Sequence, residues 1–143
     1  MSEQNKKVAR QALEVFGSGD LDALDELISA NAVDHDTQNP NAHVHGPEGS
    51  KLTISMYRAA FPDLRMKVED QIADGDKVVT RWTAIGTHDG DLPGLPASGN
   101  KSTVTGIGIN RFEDGKIVEA WTNWDTLGMM QQLGAVPASA AAS

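Results

Sequence analysis

No cysteine occurs anywhere in the chain. That absence excludes a thiol nucleophile, a Cys-ligated zinc, an iron–sulfur cluster and a disulfide framework. Missing too is any apolar run near the roughly 18 residues of a membrane span, and MSEQNKKVARQ at the start has no apolar segment of signal-peptide type. A cytoplasmic protein with no membrane partner is expected. Basic residues are few: 12 against 20 acidic ones, a formal charge of −8, with no basic stripe. Nucleic acid is therefore not an expected partner, because phosphate binding needs a positive footprint. GIGIN at Gly106 to Asn110 lacks the G-x-G-x-x-G spacing and the strand-to-helix context of a dinucleotide site, so no nucleotide cofactor is implied.

What remains is the composition of an ordinary globular domain, 39% apolar and 22% charged over 143 residues. That length suits one core. A single domain over 1–134 is expected, followed by a loosely ordered tail, 135–143, made of small residues from Pro137 onward. Lys6 to Phe16 has near-helical apolar spacing and is stopped by Gly17-Ser18-Gly19. Asp20 is placed to cap a second short helix whose stripe is Leu21, Leu24, Leu27 and Ile28. A short strand, Ala32 to Asp36, then leads into the Asn- and Pro-rich loop TQNPNAHVHGPEG, and Pro47 opens a helix reaching about Ala60.

Beyond Phe61-Pro62-Asp63 the period becomes two. Strands are predicted over Leu64 to Ala73, Lys77 to Thr87, Ser102 to Phe112 and Ile117 to Trp124. Asp74-Gly75-Asp76 and Glu113-Asp114-Gly115 read as tight hairpin turns. DGDLPGLPASGN is a longer loop able to overhang a cavity. Helices first and antiparallel strands afterwards give an α+β domain with helices on one face of a curved sheet.

Several stretches together resemble the SnoaL-like polyketide cyclase or ester cyclase family of the nuclear-transport-factor-2-like (NTF2-like) superfamily. They are VDHD (Val33 to Asp36), GPEG (Gly46 to Gly49), YRAAFPDLRMKVED (Tyr57 to Asp70), GDKVVTRWTAIGTHDG (Gly75 to Gly90), DGKIVEAW (Asp114 to Trp121) and WDTLGMMQQLG (Trp124 to Gly134). The resemblance implies a cone-shaped α+β fold and a hydrophobic, carbonyl-bearing small-molecule substrate such as a polyketide. It also implies acid/base chemistry without metal or cofactor, and a homodimer. The same superfamily holds isomerases, dehydratases, epoxide hydrolases and silent binding modules, so fold alone does not fix the chemistry.

By that resemblance Asp125 is the acid/base. A carboxylate sheltered from water, with Trp121 and Trp124 as aromatic wall, can abstract a proton alpha to a carbonyl. Asp125 before Thr126-Leu127-Gly128 is equally a helix N-cap, and the two roles can coexist. Alternation sets Glu119, Trp121, Asn123 and Asp125 on one strand face and Val118, Ala120, Thr122 and Trp124 on the other. Binary patterning turns the first set to solvent; the resemblance favours the opposite orientation, which is the expectation adopted. Arg81 either faces solvent or is buried beside Glu119 or Asp125, where it would orient the acid or polarise a carbonyl. With those two acids it would also imitate the trio of a limonene-epoxide-hydrolase-like enzyme. His88, of the Gly-Thr-His motif, and His35 are candidates to donate to a carbonyl oxygen or exchange a proton, or are simply hydrogen-bonded strand-end residues.

His35, Asp36, His43 and His45 lie close in sequence, but loop residues without supporting partners do not make a metal centre, and none is expected. Tyr57, Met56, Phe61, Leu64 and Met66 line or support the cone, and Met129 and Met130 belong to a terminal helix able to cover its mouth. The family's antibiotic-pathway cyclases place a histidine in the strand before the acid, where this chain has Arg111 and its neighbours.

Overall fold

The computed structural model describes residues 2–137. Helix α1 spans Ser2–Ser18 and a 3₁₀ turn, Leu21–Ala23, runs into the short α2, Leu24–Leu27. Strand β1 is Ile28–Asp34 and α3 is Pro47–Ala60. The strands β2 (Arg65–Asp74), β3 (Lys77–Thr87), β4 (Lys101–Glu113) and β5 (Lys116–Trp124) precede α4, Thr126–Gln132. The five strands lie in the order β1-β5-β4-β3-β2. The β1–β5 pair is parallel and the others antiparallel. This is the expected α+β arrangement of helices on a mainly antiparallel sheet.

α1 ends where foreseen because Gly19 adopts φ 75° and returns its N–H to Val15 O. Arg58 Nη1 donates to the carbonyls of Phe16 and Gly17, setting a cation at the negative end of α1. Pro47 is the first residue of α3. Two expectations need correction. Asp20 makes no side-chain cap. Its N–H donates instead to Ser18 Oγ, and its carbonyl accepts from Ala23 N. Ile28 belongs to β1, not to a helical stripe, because it pairs with Ile117 of β5.

Apolar residues gather in two clusters. One joins Val8, Ala9 and Val15 of α1 to Leu24, Ile28, Ile54, Val78, Phe112 and Ile117. The other gathers Ala60, Phe61, Leu64, Leu92, Val104, Met129 and Leu133. Leu92, from the Asp89–Asn100 loop, is thus anchored on the second cluster, and none of residues 89–100 lines the cavity described below. That corrects the expected overhang. The tail prediction rests largely on 138–143, which lie outside the described residues; 135 to 137 are tied to α4 by Ala135 N to Met130 O and by Gln131 Nε2 to Pro137 O.

Candidate functional site

A cavity of about 240 Å³ lies between the sheet and the helices, with walls drawn from both clusters. The strand register shows why it exists. Trp82, Gly106 and Trp124 form one inward row; Thr80, Gly108 and Thr122 form the next; Val78, Asn110, Ala120 and Asp34 form a third. Glycine and alanine along the centre of β4 and β5 leave a trough. Gly106 is required there, since a Cβ would come 2.3 Å from Trp82 Cζ2 and the indole lies across that position. Phe16, Ile54, Tyr57 and Phe61 close the helical side.

The carboxylates reaching the cavity are Asp34 and Asp36. Asp34 is spent on structure: Oδ1 accepts from Asp36 N at 2.8 Å and Oδ2 from Asn39 Nδ2 at 2.9 Å. Asn39 is itself fixed by donations from Asn41 N and Thr53 Oγ1 to its Oδ1. Asp36 continues the line of β1, as the bond from His35 N to Ala120 O shows. Its Oδ1 accepts from Gln38 N at 2.9 Å, whereas no hydrogen bond to another described residue occupies Oδ2. Burial pushes the Asp36 pKa up, Gln38 N–H counters it, and the charge of Asp34 adds to the rise. Tyr57 is raised to about 12, first by burial and then by Asp36. Among the described residues no lysine, arginine or histidine lines the cavity.

The expected inward face of β5 is the outward one. Ala120, Thr122 and Trp124 line the cavity, and Glu119, Trp121 and Asn123 lie on the outer face. Patterning alone was right, because the apolar and small set packs inward. Asp125 is exposed and caps α4, Oδ1 accepting from Gly128 N at 2.8 Å. Its one side-chain hydrogen bond among the described residues is this cap, with none to Arg81 or His88. Arg81 is exposed on the outer face, opposite Ile107, where its charge helps hold the Glu69 carboxyl low behind the larger effect of Thr83. The epoxide-hydrolase-like trio of Arg81, Glu119 and Asp125 is therefore not assembled.

His35 also sits outside the cone. It stacks on Trp121 at 5.0 Å and pairs with Glu119 through Nε2 at 2.8 Å. Arg111 Nε holds the other Glu119 oxygen at 2.6 Å, and Arg111 then His35 lower the Glu119 pKa. His88 is fully buried and stacks on Phe61. Its Nδ1 accepts from Ser98 N and meets Ser98 Oγ at 2.9 Å, so it ties down the 89–100 loop, while Nε2 has no partner among the described residues. Tyr57, Phe61, Leu64 and Met66 do line the cavity; Met56 packs on the second cluster behind it. Met129 lines it and Met130 does not. Among the described residues no group of three or more His, Asp or Glu converges as metal ligands would.

Sequence reasoning passed over Asp36 as an acid, together with Thr80, Trp82, Asn110 and Thr122. The available signal was alternation from Ala32, which puts Asp34 and Asp36 on the buried side of VDHD.

Known proteins share this architecture. A family model for SnoaL-like polyketide cyclase matches residues 6–133. The chain is 27% identical over 128 residues to aklanonic acid methyl ester cyclase DnrD of Streptomyces peucetius, covering 89% of this chain and 88% of that one. Among solved structures, TsrD from Streptomyces laurentii has a TM-score of 0.85 at 29% identity, covering 95% of this chain and 98% of its own. IdmH from Streptomyces antibioticus has a TM-score of 0.79 at 36% identity, covering 92% and 99%.

Proposed function

The chain belongs to the SnoaL-like polyketide cyclase family, and we propose that it is a cofactor-independent cyclase of lyase or isomerase type acting on a neutral, hydrophobic, enolisable carbonyl compound of polyketide type. The observation that carries this reading is Asp36, a carboxylate with one oxygen unengaged, a raised pKa and an aromatic-walled cavity before it. Two carboxylates and no cation in the lining support a neutral ester or ketone over a free acid.

In the proposed step ionised Asp36 takes the proton from a carbon alpha to a carbonyl, and the C–H electron pair becomes the enolate. The enolate carbon attacks a second carbonyl of the same molecule. A C–C bond forms, the C=O π pair moves to oxygen, and Asp36 returns its proton to that alkoxide. The product is an isomer of the substrate, with no change of oxidation state. A raised pKa brings the carboxylate nearer to the operating pH, where general-base catalysis is most effective.

The test uses aklanonic acid methyl ester, the compound in the relative's name, with chromatography and mass spectrometry to detect a product of unchanged mass. Asp36→Asn should lower the rate by roughly 10²–10⁴-fold, and Asp125→Asn should leave it near wild type, since asparagine also caps helices. Wild-type rates from Asp36→Asn would end the assignment. The solvent-facing cap role of Asp125 favours one other reading, a non-catalytic small-molecule binder. Tight binding of the ester without turnover, unchanged by Asp36→Asn, would establish it.

A homodimer through the outer sheet face is part of the same proposal. It is supported by the apolar row Ile72, Val79, Ile109 and Trp121 that crosses that face.

A further inference from the structure

We infer that Asn110 and Thr122 form an oxyanion seat in the cone, two neutral donors for the carbonyl oxygen that becomes negative when Asp36 removes the adjacent proton. This rests on the proposed reading of Asp36 and adds the residues that would receive the charge.

The sheet register builds the seat. Asn110 stands opposite Ala120, and Thr122 opposite Gly108. Each polar side chain thus faces a residue too small to fill the space above it. A Cβ on Gly108 would stand 3.3 Å from Thr122 Oγ1, so the glycine keeps the hydroxyl clear. Asn110 and Thr122 are diagonal neighbours on adjacent strands, about 7–8 Å apart at Cα, a span over which both side chains can meet one oxygen atom. Asp34 pairs with Ala120 and His35 N bonds the Ala120 carbonyl, so the chain leaves β1 alongside β5 and brings Asp36 to the same cavity that Thr122 lines. Base and donors therefore border the same volume, beneath Trp82 and Trp124.

In the two register rows that hold Asn110 and Thr122, the other polar residues, Thr80 and Asp34, are engaged. Thr80 Oγ1 accepts from Gln71 Nε2, and Asp34 is held by Asn39. Asn110 and Thr122 have no side-chain hydrogen bond to another described residue, yet both line an otherwise largely apolar cavity. Polar groups so placed call for a partner, and a ligand oxygen supplies one. Uncharged donors fixed on strands, aimed where charge develops, are suited to stabilising an enolate because they need no reorganisation during the step.

The experiment separates the seat from the base. In an Asp36→Asn background, which removes the charge of the proposed base and any dependence on turnover while leaving Asp34 the same in every protein compared, 2-naphthol is bound as an enolate mimic. The ratio of bound naphtholate to bound naphthol is read by absorbance across pH. With the seat intact the bound probe ionises at lower pH than it does in solution. Adding Thr122→Val or Asn110→Ala should reduce the naphtholate ratio about tenfold, the effect of losing one hydrogen bond to a charged group. Thr122→Ser, which restores the hydroxyl, should recover it. Equal ratios across all four proteins would overturn the inference, as would a loss with Thr122→Val that Thr122→Ser fails to repair. If Asp36 proves not to be the base, the ionisation ratios still decide the seat.

Discussion

At Asp36, burial and the charge of Asp34 both favour the protonated carboxyl, with Gln38 N–H the opposing contact. The sign follows from proton linkage. Above the ordinary value of 3.8 the unfolded chain has released a proton that the native state still holds, so stability falls as pH rises through the raised pKa. Asp36→Asn keeps an oxygen for Gln38 N and removes the buried charge. It should raise the melting temperature at neutral pH, with the gain disappearing below pH 3.8, as read by circular dichroism. A lower melting temperature at neutrality would contradict the stated environment. Stabilisation bought with lost activity is characteristic of a functional group. Asp125 was legible as a helix cap from Thr126-Leu127-Gly128, and family likeness pulled it inward against the polarity pattern. Asp36 was harder to see: alternation from Ala32 marks its face, but its role depends on where β1 meets β5.

Strand β1, expected over Ala32 to Asp36, runs Ile28–Asp34. Strands β2 to β5 were readable almost to the residue because Asp-Gly turns punctuate them, and β3 runs over the predicted span, Lys77–Thr87. The second helix was not, since Leu27 and Ile28 continue a helical spacing that pairing with β5 overrides. β4 shows how an element shapes the site. Its inward glycines look like interruptions of a strand, yet they clear the trough and let Trp82 lie across Gly106. Gly106→Ala should therefore displace the indole at a cost of about 1–3 kcal/mol, typical of overpacking. Chemical denaturation would measure the loss, and near-ultraviolet dichroism would report the moved tryptophan. An unchanged spectrum would mean that Trp82 does not wall the cavity at that position. Helix α4 is pinned independently: Thr126 Oγ1 donates to Gln38 Oε1, and the Gln132 amide bonds both the N–H and C=O of Thr103, beyond the end of the β4–β5 ladder. Long-range docking of this kind leaves no local pattern.

Across the whole molecule the sheet separates two environments. The inner face carries the cavity; the outer carries the His35–Glu119–Arg111 network and the apolar row ending in exposed Ile72, 63% accessible. The mixture of charge and apolar surface on a single face is what made β5 ambiguous: Glu119 and Trp121 look as suited to a site as Ala120 and Thr122 do to a core. If the outer row is the dimer contact, Ile72→Glu with Ile109→Glu should convert a dimer into a monomer by sedimentation velocity, without altering the cavity. A wild-type monomer at micromolar concentration would remove the dimer from the account. The central claim, that the working carboxylate is inside the cone, is tested most directly by proton exchange. An aryl β-keto ester in deuterium oxide reports abstraction at its alpha carbon by NMR, whether or not a ring then closes. Wild type and Asp125→Asn should accelerate exchange equally, and Asp36→Asn should lose that acceleration by roughly 10²-fold or more. Full exchange by Asp36→Asn, or loss confined to Asp125→Asn, would contradict it.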